Sequence, residues 1–451
     1  MVSRSIVSLE SLIEEYVAQN ARSRQLYERA KKVEPGGNTR TGIFFSPFPL
    51  FAERGEGVYI IDVDGNRRLD FVNNNTSLIL GHAHPAVVKA LQEQAAKGTA
   101  FSRPTEVELE LAEMIKERVP SMETLRFCNS GTEAVLNALR TAKAFTGRHK
   151  IAKCEGAYHG IADHVIVSLN APIGPWSGPA HRPRPVPCTA GLAPSVLEEV
   201  VIIPFNDTEN SVRIIEEHAD ELAAVIIDPL LTSACIVLPE DGYLQALREV
   251  TAAHGILLIF DEVISFRVAR GGVQELVGVR PDLTALAKVP MGGMPGGVWG
   301  GRADVMALYD PSRGAPLLQQ SGTFNGNPMT MVAGIATLKE LTPPAYAKMD
   351  RLGERLRLGL NGLFKELSVP AQATGVGSLF WIHFTRAPIR NYRDTLREDS
   401  QAHQKLFFWL LNHGILSYNK GMGCLSLPME EEHVDLFIQS VRRALLETGI
   451  A

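Results

Sequence analysis

Short apolar runs alternate with helix-like segments through the middle of the chain. From about residue 85 the spacing of apolar positions predicts helices such as Glu106–Arg118, Thr132–Phe145 and Tyr243–Ala253. The predicted strands are short, mainly apolar runs: Leu125–Cys128, Lys150–Cys154, Val200–Ile203, Ala223–Asp228, Ile256–Asp261 and Leu283–Ala287. Because strands that are buried on both faces show no polar alternation, this order predicts an α/β protein with a parallel sheet covered by helices.

The two ends of the chain follow other patterns. Apolar positions at helical spacing predict a helical N terminus that stops at the turn Pro35–Gly37. Asp64-Gly65 predicts a hairpin turn in the short β-rich segment that follows. After the predicted helix Met329–Leu341 the pattern becomes mixed. We therefore expect a large α/β domain over residues 85–328, and a smaller α+β domain formed by residues 1–84 and 329–451.

Composition and charge exclude several classes of protein. The 451 residues carry 45 basic and 50 acidic side chains, a formal net charge of −5, which argues against a nucleic-acid partner because no basic surplus neutralises phosphates. No apolar run of about 18 residues predicts a membrane span, and Glu10, Glu14 and Glu15 interrupt what would be the core of a signal peptide. The five cysteines are widely spaced and include no CxxC pair, so we expect reduced thiols and a cytoplasmic protein.

A candidate anion site follows the first strand of the apolar series. In Asn129-Ser130-Gly131-Thr132-Glu133, Ser130 is placed as a helix N-cap with Glu133 three residues on, which predicts a capping box. The free N–H groups, the helix dipole and two hydroxyls would suit a phosphate. The same pattern also begins helices that bind no ligand, so the motif alone leaves both interpretations open.

Charged residues follow two more predicted strands. Asp261 and Glu262 stand at the end of a strand, where open α/β sheets bind ligands, and an acid there could serve a metal ion, a ribose or a protonated ring nitrogen. Lys288 follows another strand, where partial desolvation would lower its pKa and suit imine formation. The alternatives are that the acids lie in solvent at the strand end or form a salt bridge, and that Lys288 is a solvated surface lysine. A phosphate cradle, a carboxylate and an amine at one sheet edge would together suit pyridoxal phosphate.

With these motifs the chain resembles the class III aminotransferases of the fold type I pyridoxal-phosphate enzymes. The family's motifs occur in order over roughly residues 30 to 430: NSGTEA, GAYHG at Gly156–Gly160, FDEV at Phe260–Val263, LAK followed by GGMPGG, and SGTFNGNP at Ser321–Pro328. The resemblance implies a large domain with a mostly parallel seven-stranded sheet plus a smaller α+β domain from the N- and C-terminal segments. It also implies bound pyridoxal 5′-phosphate and a homodimer with shared active sites.

The resemblance assigns roles to several cofactor residues. Lys288 would bind the cofactor as an imine and carry the proton between substrate and cofactor, and Asp261 would pair with the ring nitrogen. The other implied contacts are Ser130, Gly131 and Thr132 at the phosphate, Thr323 reaching the phosphate from the partner subunit, Tyr158 stacked on the ring and Val263 under its other face.

Two positions are candidates for substrate binding. Arg40 would clamp the substrate carboxylate, since a guanidinium gives a bidentate contact, and Phe44 and Phe45 could line an apolar wall beside it. The alternative is a surface arginine next to core phenylalanines. Lys420 stands where the β-amino acid aminotransferases tend to have an arginine, and it keeps the charge but loses the planar fork.

Three groups within the family are similar to this chain. They are the β-phenylalanine or aromatic β-amino acid aminotransferases, which share PGGNTR and LFFWLLN, glutamate-1-semialdehyde aminomutase and D-phenylglycine aminotransferase. DEVISFRV is one residue shorter than the mutase pattern DEVxTGFRV, which favours the first group. A departure is Asp228-Pro229, where relatives usually have Glu-Pro.

The expected activity is ping-pong transfer of an amino group from a β- or aromatic amino acid to a 2-oxo acid such as 2-oxoglutarate or pyruvate. The alternative is an aminomutase, which would move nitrogen within one substrate. A regulatory relative without cofactor is disfavoured because Lys288, Asp261 and the segment Ser130–Thr132 are intact.

Overall fold

The computed structural model describes residues 6–450, apart from the side chain of Arg313. The chain divides into a large unit, Pro85–Tyr346 with Pro388–Leu396, and a small unit that contains the described residues up to His84, Ala347–Ala387 and those from Arg397 onward. The sequence-based limits at 328 and 329 differ from this division, because the helix after residue 327 packs within the large unit. The first five residues of the expected helical N terminus lie outside the described part.

Strands and α-helices are numbered separately, each in chain order. The strands are β1 (Ala52–Glu56), β2 (Tyr59–Asp62), β3 (Arg67–Asp70), β4 (Thr124–Cys128), β5 (Lys150–Cys154), β6 (Val200–Ile203), β7 (Leu222–Ile227), β8 (Leu257–Asp261), β9 (Leu283–Ala287), β10 (Gly297–Gly301), β11 (Gln372–Thr374), β12 (Leu379–His383), β13 (Ile415–Leu416) and β14 (Met422–Cys424). The α-helices are α1 (Leu9–Gln19), α2 (Ala21–Ala30), α3 (Asn73–Thr76), α4 (Pro85–Ala95), α5 (Glu106–Arg118), α6 (Gly131–Thr146), α7 (Asp163–Ile166), α8 (Pro194–Glu198), α9 (Thr208–Glu217), α10 (Tyr243–Ala253), α11 (Val273–Val277), α12 (Ala303–Met306), α13 (Pro328–Glu340), α14 (Pro343–Glu366), α15 (Tyr392–Thr395), α16 (Ser400–Asn412) and α17 (Glu431–Glu447).

The large unit is built on a seven-stranded sheet in the order β4-β10-β9-β8-β7-β5-β6. Strand β10 runs antiparallel to both of its neighbours, and the other pairs are parallel. Successive residues of the parallel strands enter two separate buried clusters, as Val225 and Ala224 do, because successive side chains in a strand point to opposite faces. The predicted α/β class with a mostly parallel sheet is confirmed. Among residues 6–450, no helix combines the length and the apolarity that a membrane crossing requires.

The small unit contains a four-stranded sheet, β1-β2-β3-β13, and a three-stranded sheet, β11-β12-β14. Strands β2 and β3 form the hairpin predicted from Asp64-Gly65. The N-terminal helical region is two helices, α1 and α2, which meet at Asn20. One buried apolar cluster from α1, α14, α16 and α17 supports both sheets.

The helix α3 of the small unit is a left-handed turn of four non-glycine residues. The φ angles of Asn73, Asn74, Asn75 and Thr76 are 46°, 47°, 54° and 70°. This conformation costs an ordinary L-residue roughly 1–2 kcal/mol, although asparagine adopts it more readily than most. The turn is held by Asp70, whose Oδ1 accepts the backbone N–H of Asn73 at 3.0 Å. Strained segments persist where their surroundings over-determine them, and they concentrate at functional sites.

A C-terminal segment, Pro388–Leu396, belongs to the large unit. The guanidinium of Arg393 donates from Nε and Nη2 to the two carboxylate oxygens of Glu155, at 2.7 and 2.9 Å. The hydroxyl of Tyr392 donates to the carbonyl of Ala171 at 2.8 Å. The segment therefore supplies the charge that balances a buried carboxylate of the large unit.

Candidate active site

The C-terminal ends of the parallel strands carry the residues singled out in the sequence. Ser130 follows β4, Tyr158 follows β5, Asp228 follows β7, Asp261 ends β8 and Lys288 follows β9. Because β7, β8 and β9 are parallel neighbours, their C-terminal residues lie side by side at one edge of the sheet. This is the edge at which open α/β folds bind ligands.

Ser130 begins the sixteen-residue helix α6 as its N-cap. Its Oγ accepts the backbone N–H of Glu133 at 3.1 Å, so its own hydroxyl hydrogen can be donated to another group. The predicted reciprocal bond of the capping box is wrong, because the Glu133 carboxylate accepts the backbone N–H of Asn129, at 3.0 Å, one residue before the N-cap. The helix N terminus still presents N–H groups and the positive end of its dipole, which suit an anion.

Glycines allow the start of α6 to lie against neighbouring strand ends. A Cβ at Gly131 would lie 3.1 Å from both methyls of Val263 and 3.4 Å from the Cβ of Ala287, the residue before the candidate lysine. A Cβ at Gly160 would come within 2.7 Å of the Thr132 hydroxyl. The predicted phosphate cradle is therefore packed closely against the ends of β8 and β9, and this geometry fits a phosphate at the helix N terminus.

Asp261 is buried and held in a fixed orientation. Its Oδ2 lies 2.8 Å from Nδ1 of His159, and its Oδ1 accepts the backbone N–H of Val263 at 3.1 Å. His159 is itself buried, and its Nε2 has no hydrogen-bond partner among the described residues. The sequence analysis assigned His159 no role, although it stands in GAYHG directly after Tyr158. Its contact fixes the carboxylate that is expected to face the cofactor ring.

Lys288 has an unusual backbone conformation. Its φ of 62° and ψ of −99° lie outside the regions that L-residues favour. Its carbonyl accepts the backbone N–H of Met291 at 3.0 Å, which fixes the tight turn after β9. The side chain is half-buried. A strained non-glycine residue at a sheet edge supports a functional role for this lysine.

Tyr158 is partly covered by its surroundings, whereas Thr323 is exposed. The backbone N–H of Tyr158 donates to Ser233 Oγ at 3.0 Å, and burial together with the charge of Asp261 raises the pKa of its phenol, which stays neutral. Thr323 is exposed in a turn. That turn is joined to the cradle by Asn325, whose side-chain oxygen accepts from Asn129 Nδ2 at 2.7 Å.

The two other acids near this edge, Asp228 and Glu262, accept hydrogen bonds from the surrounding backbone. Asp228 accepts the backbone N–H of Thr232 at 2.7 Å and the Thr232 hydroxyl at 2.5 Å, and burial and the neighbouring Asp261 raise its pKa to about 6. Glu262 accepts the backbone N–H of Val273 at 2.6 Å, at the start of α11, and burial raises its pKa to about 7. Asp261 is therefore the acid of this group best placed to face a ligand.

A buried lysine that the sequence analysis missed supports the loop after β5. Lys153 Nζ donates to the carbonyls of Ala157, Val165 and Val167 at 2.7, 2.9 and 2.7 Å. Burial lowers its pKa to about 7. These three bonds fix the loop that carries Tyr158. The sequence gives no sign of them, because a lysine within an apolar strand does not reveal its hydrogen-bond partners.

Lys153→Met should lower the free energy of unfolding by about 2–4 kcal/mol at pH 7, because three buried carbonyls lose their donor. The folded pKa is about 7 and the ordinary value is 10.5, so the unfolded chain binds more protons between these pH values and the parent's stability rises with pH across them. The methionine variant should lose that rise. Urea denaturation at pH 7 and pH 9 measures both effects.

The matched control is Lys150→Met on the same strand. Lys150 forms an ion pair with Glu221 at 2.8 Å near the surface, which is worth at most about 1 kcal/mol. This control should keep the pH dependence of the parent. An equal effect of both substitutions would contradict the assignment of Lys153 as the support of the loop.

The substrate-binding candidates lie in the small unit. Arg40 is exposed, and its Nη1 donates to Asn74 Oδ1 at 3.1 Å. Within the described residues it forms no ion pair with an acid. Phe45 is partly buried and packs against Phe407 of the core, with ring centroids 5.0 Å apart, whereas the ring of Phe44 is exposed.

Lys420 is exposed in the connection between β13 and β14. The structure therefore leaves its ammonium accessible, as a carboxylate-binding side chain requires. Its role stays a prediction.

The family model for class III aminotransferases matches residues 45–445, and the chain belongs to this family. Class III aminotransferases depend on pyridoxal phosphate, and a similar solved structure is a transaminase with pyridoxal phosphate bound. This protein is therefore a pyridoxal-phosphate enzyme of fold type I, as predicted.

Particular relatives represent more than one activity. The chain is 40% identical to glutamate-1-semialdehyde 2,1-aminomutase of Methanothermobacter thermautotrophicus, over 94% of this chain and 99% of that protein. Among solved structures, an omega-transaminase from Sphaerobacter thermophilus is 46% identical with a TM-score of 0.91, covering 95% of this chain and 98% of that one. A β-phenylalanine aminotransferase from Variovorax paradoxus is 38% identical with a TM-score of 0.88, covering 98% and 97%.

Proposed function

We propose that this enzyme is an aminotransferase that moves the amino group of a β- or aromatic amino acid to a 2-oxo acid, such as 2-oxoglutarate or pyruvate, by a ping-pong mechanism. The observation that carries the proposal is the guanidinium of Arg40, which a neutral amide orients and no acid among the described residues neutralises. Such a group binds a carboxylate in a bidentate manner. The similarity to the omega-transaminase and the β-phenylalanine aminotransferase supports the same activity.

The large unit supplies the groups that hold the cofactor. The N terminus of α6, with Ser130 and Thr132, would bind the phosphate, and Asp261, which His159 holds in place, would face the ring nitrogen. Pyridoxal phosphate, when bound, supplies an electron sink for the charge that develops on the substrate carbon. Asp261 keeps the ring nitrogen protonated, because an adjacent carboxylate favours the charged form of a base.

Lys288 performs the proton transfer in this proposal. Its Nζ would bind the cofactor before substrate arrives, and would then carry the proton from the amino-bearing carbon of the substrate to the cofactor. Tyr158 would cover the ring as a neutral phenol, and Val263 would contact its other face. Arg40 and Lys420 would bind a substrate carboxylate in both halves of the ping-pong cycle, because donor and acceptor each carry at least one.

The proposal includes a homodimer with shared sites, in which Thr323 of one subunit reaches the phosphate of the other. Large apolar side chains of the large unit are exposed, among them Ile161, Trp176 and Phe324, at 68%, 58% and 58%. A partner subunit would cover such side chains in the proposed dimer, and sedimentation of the holoenzyme tests it. The free thiols of all five cysteines support a cytoplasmic location.

An aminomutase is the second candidate, favoured by the 40% identity to glutamate-1-semialdehyde 2,1-aminomutase. An aminotransferase in the pyridoxamine form converts 2-oxoglutarate or pyruvate into one equivalent of amino acid. An aminomutase instead isomerises its own substrate without a 2-oxo acid. We expect stoichiometric amino acid from the 2-oxo acid in a single-turnover experiment, and isomerisation of glutamate-1-semialdehyde without it would favour the mutase.

Arg40→Ala should lower kcat/KM for amino acids by about ten- to a hundredfold, because a charge-assisted contact to carboxylate contributes roughly 1.5–3 kcal/mol. Amines without a carboxylate should be nearly unaffected. The measurement compares a β-amino acid with an arylalkylamine. Arg22→Ala is the matched control, since Arg22 is bound to the neutral amide of Gln25 at 3.1 Å. Equal losses for both substrates would show that Arg40 is structural.

A further inference from the structure

The left-handed turn α3 contacts both segments that carry the proposed carboxylate-binding side chains. Asn74 Oδ1 accepts from Nη1 of Arg40 at 3.1 Å. The Asn75 side-chain oxygen accepts from the hydroxyl of Tyr418, two residues before Lys420. One short strained turn of the small unit therefore supports two cationic segments that are far apart in sequence.

We propose that Asn74 is a positioning residue that sets the preference of the enzyme for carboxylate-bearing substrates, an inference that rests on the proposed function. The amide oxygen of Asn74 fixes one nitrogen of the Arg40 guanidinium without cancelling its charge. The other donors of the planar group stay oriented for a bidentate contact with an anion. A carboxylate in the same place would pair with Arg40 and compete with the substrate.

The backbone of the turn explains why asparagine is suited to this position. Asn74 has φ 47° and ψ 60°, a conformation that glycine, asparagine and aspartate tolerate and other residues adopt at a cost. Glycine has no acceptor for Arg40, and aspartate would neutralise it. Asparagine meets both requirements, the left-handed backbone and an uncharged acceptor.

The turn is rigid enough to transmit this orientation. Asn73 is fully buried, and its Nδ2 donates to the carbonyl of Asp70 at 3.0 Å and to that of Cys424 at 3.1 Å. Asn74 Nδ2 also donates to Ser77 Oγ at 3.1 Å, which fixes the direction of its amide. The oxygen that faces Arg40 is therefore set by bonds on both sides of the amide.

Asn74→Asp tests the proposal, because it keeps the shape and the left-handed backbone while it adds a charge next to Arg40 and removes the bond that Asn74 Nδ2 donates to Ser77 Oγ. Calorimetry measures binding of 3-phenylpropanoate and of the uncharged 3-phenylpropanamide to the holoenzyme. We expect about tenfold weaker binding of the carboxylate and less than about twofold change for the amide. In steady state, KM for amino acids should rise by a similar factor while kcat changes little. Asn74→Gly should give a smaller loss, since the charge of Arg40 remains.

The matched control is Gln25→Glu, which places a carboxylate on Arg22 at the corresponding 3.1 Å contact. This control should bind both ligands with affinities within about twofold of those of the parent enzyme. Carboxylate binding by Asn74→Asp within twofold of the parent, or equal losses of carboxylate and amide, would overturn the inference. If Asn74→Asp does not fold, Asn74→Gly decides by the same carboxylate-to-amide ratio. A parent that binds the carboxylate but does not transaminate would refute the proposed function and leave the role of Asn74 standing.

Discussion

Lys288→Ala is expected to lower turnover by at least about a thousandfold and to abolish the covalent cofactor adduct that borohydride traps. The side chain is the proposed covalent attachment point and the base, and proton transfer alone contributes about 10²–10⁴-fold. Its place at the end of β9, beside the cradle of α6, motivates the assignment. Mass spectrometry of the reduced, digested protein identifies the modified lysine.

The control for this substitution is Lys339→Ala on α13. Lys339 is an exposed lysine that forms an ion pair with Glu110 at 2.9 Å, so its loss should leave both turnover and adduct intact. A trapped adduct on any other lysine in the parent would refute the role of Lys288, and so would substantial turnover by Lys288→Ala.

Asp261→Asn should keep the bound cofactor yet slow removal of the substrate proton by at least about a hundredfold, as removal of other single electrostatic contacts does. Without the carboxylate, the ring nitrogen loses the group that keeps it protonated. His159 Nδ1 can still bond to the asparagine side chain, so the local packing should survive. Stopped-flow measurement of the half-reaction, with absorbance of the cofactor, gives the rate.

Asp228→Asn is the matched substitution on the neighbouring strand. Asp228 is bonded to its own turn through Thr232, so its loss should affect stability more than proton removal. Near-normal rates for Asp261→Asn with a large defect in Asp228→Asn would reverse the two roles.

The central sheet was predictable because its strands are apolar on both faces. The predicted limits of these strands agree with the structure within one residue, for example at Val200–Ile203 and Leu283–Ala287. Strand β10 had no such pattern, since three of its five residues are glycine. These glycines allow close approach of neighbouring backbone, at Gly297 to the carbonyl of Ser130, and such a packing requirement is invisible to hydrophobic periodicity.

The candidate site likewise contains some residues that the sequence predicts and others that it does not. Ser130, Asp261 and Lys288 could be found because each stands where an apolar run ends, and the sheet then brings such positions to one edge. Lys153 and the asparagines of α3 could not, because their roles depend on bonds to carbonyls or side chains that only the fold brings close. The contact of Phe45 with Phe407 could not be predicted for a related reason, since the two residues are more than 360 positions apart along the chain.

The segment Pro388–Leu396 has a consequence for dissecting the protein into fragments. Because the chain passes from one unit to the other and back, neither unit is a continuous stretch of polypeptide. A fragment that ended at Tyr346 would lack Arg393 and leave Glu155 as an uncompensated buried charge, which is strongly destabilising. Excision of either unit by a single cut therefore leaves an incomplete core, and domain exchange between relatives requires a chimera that carries the 388–396 segment together with the large unit.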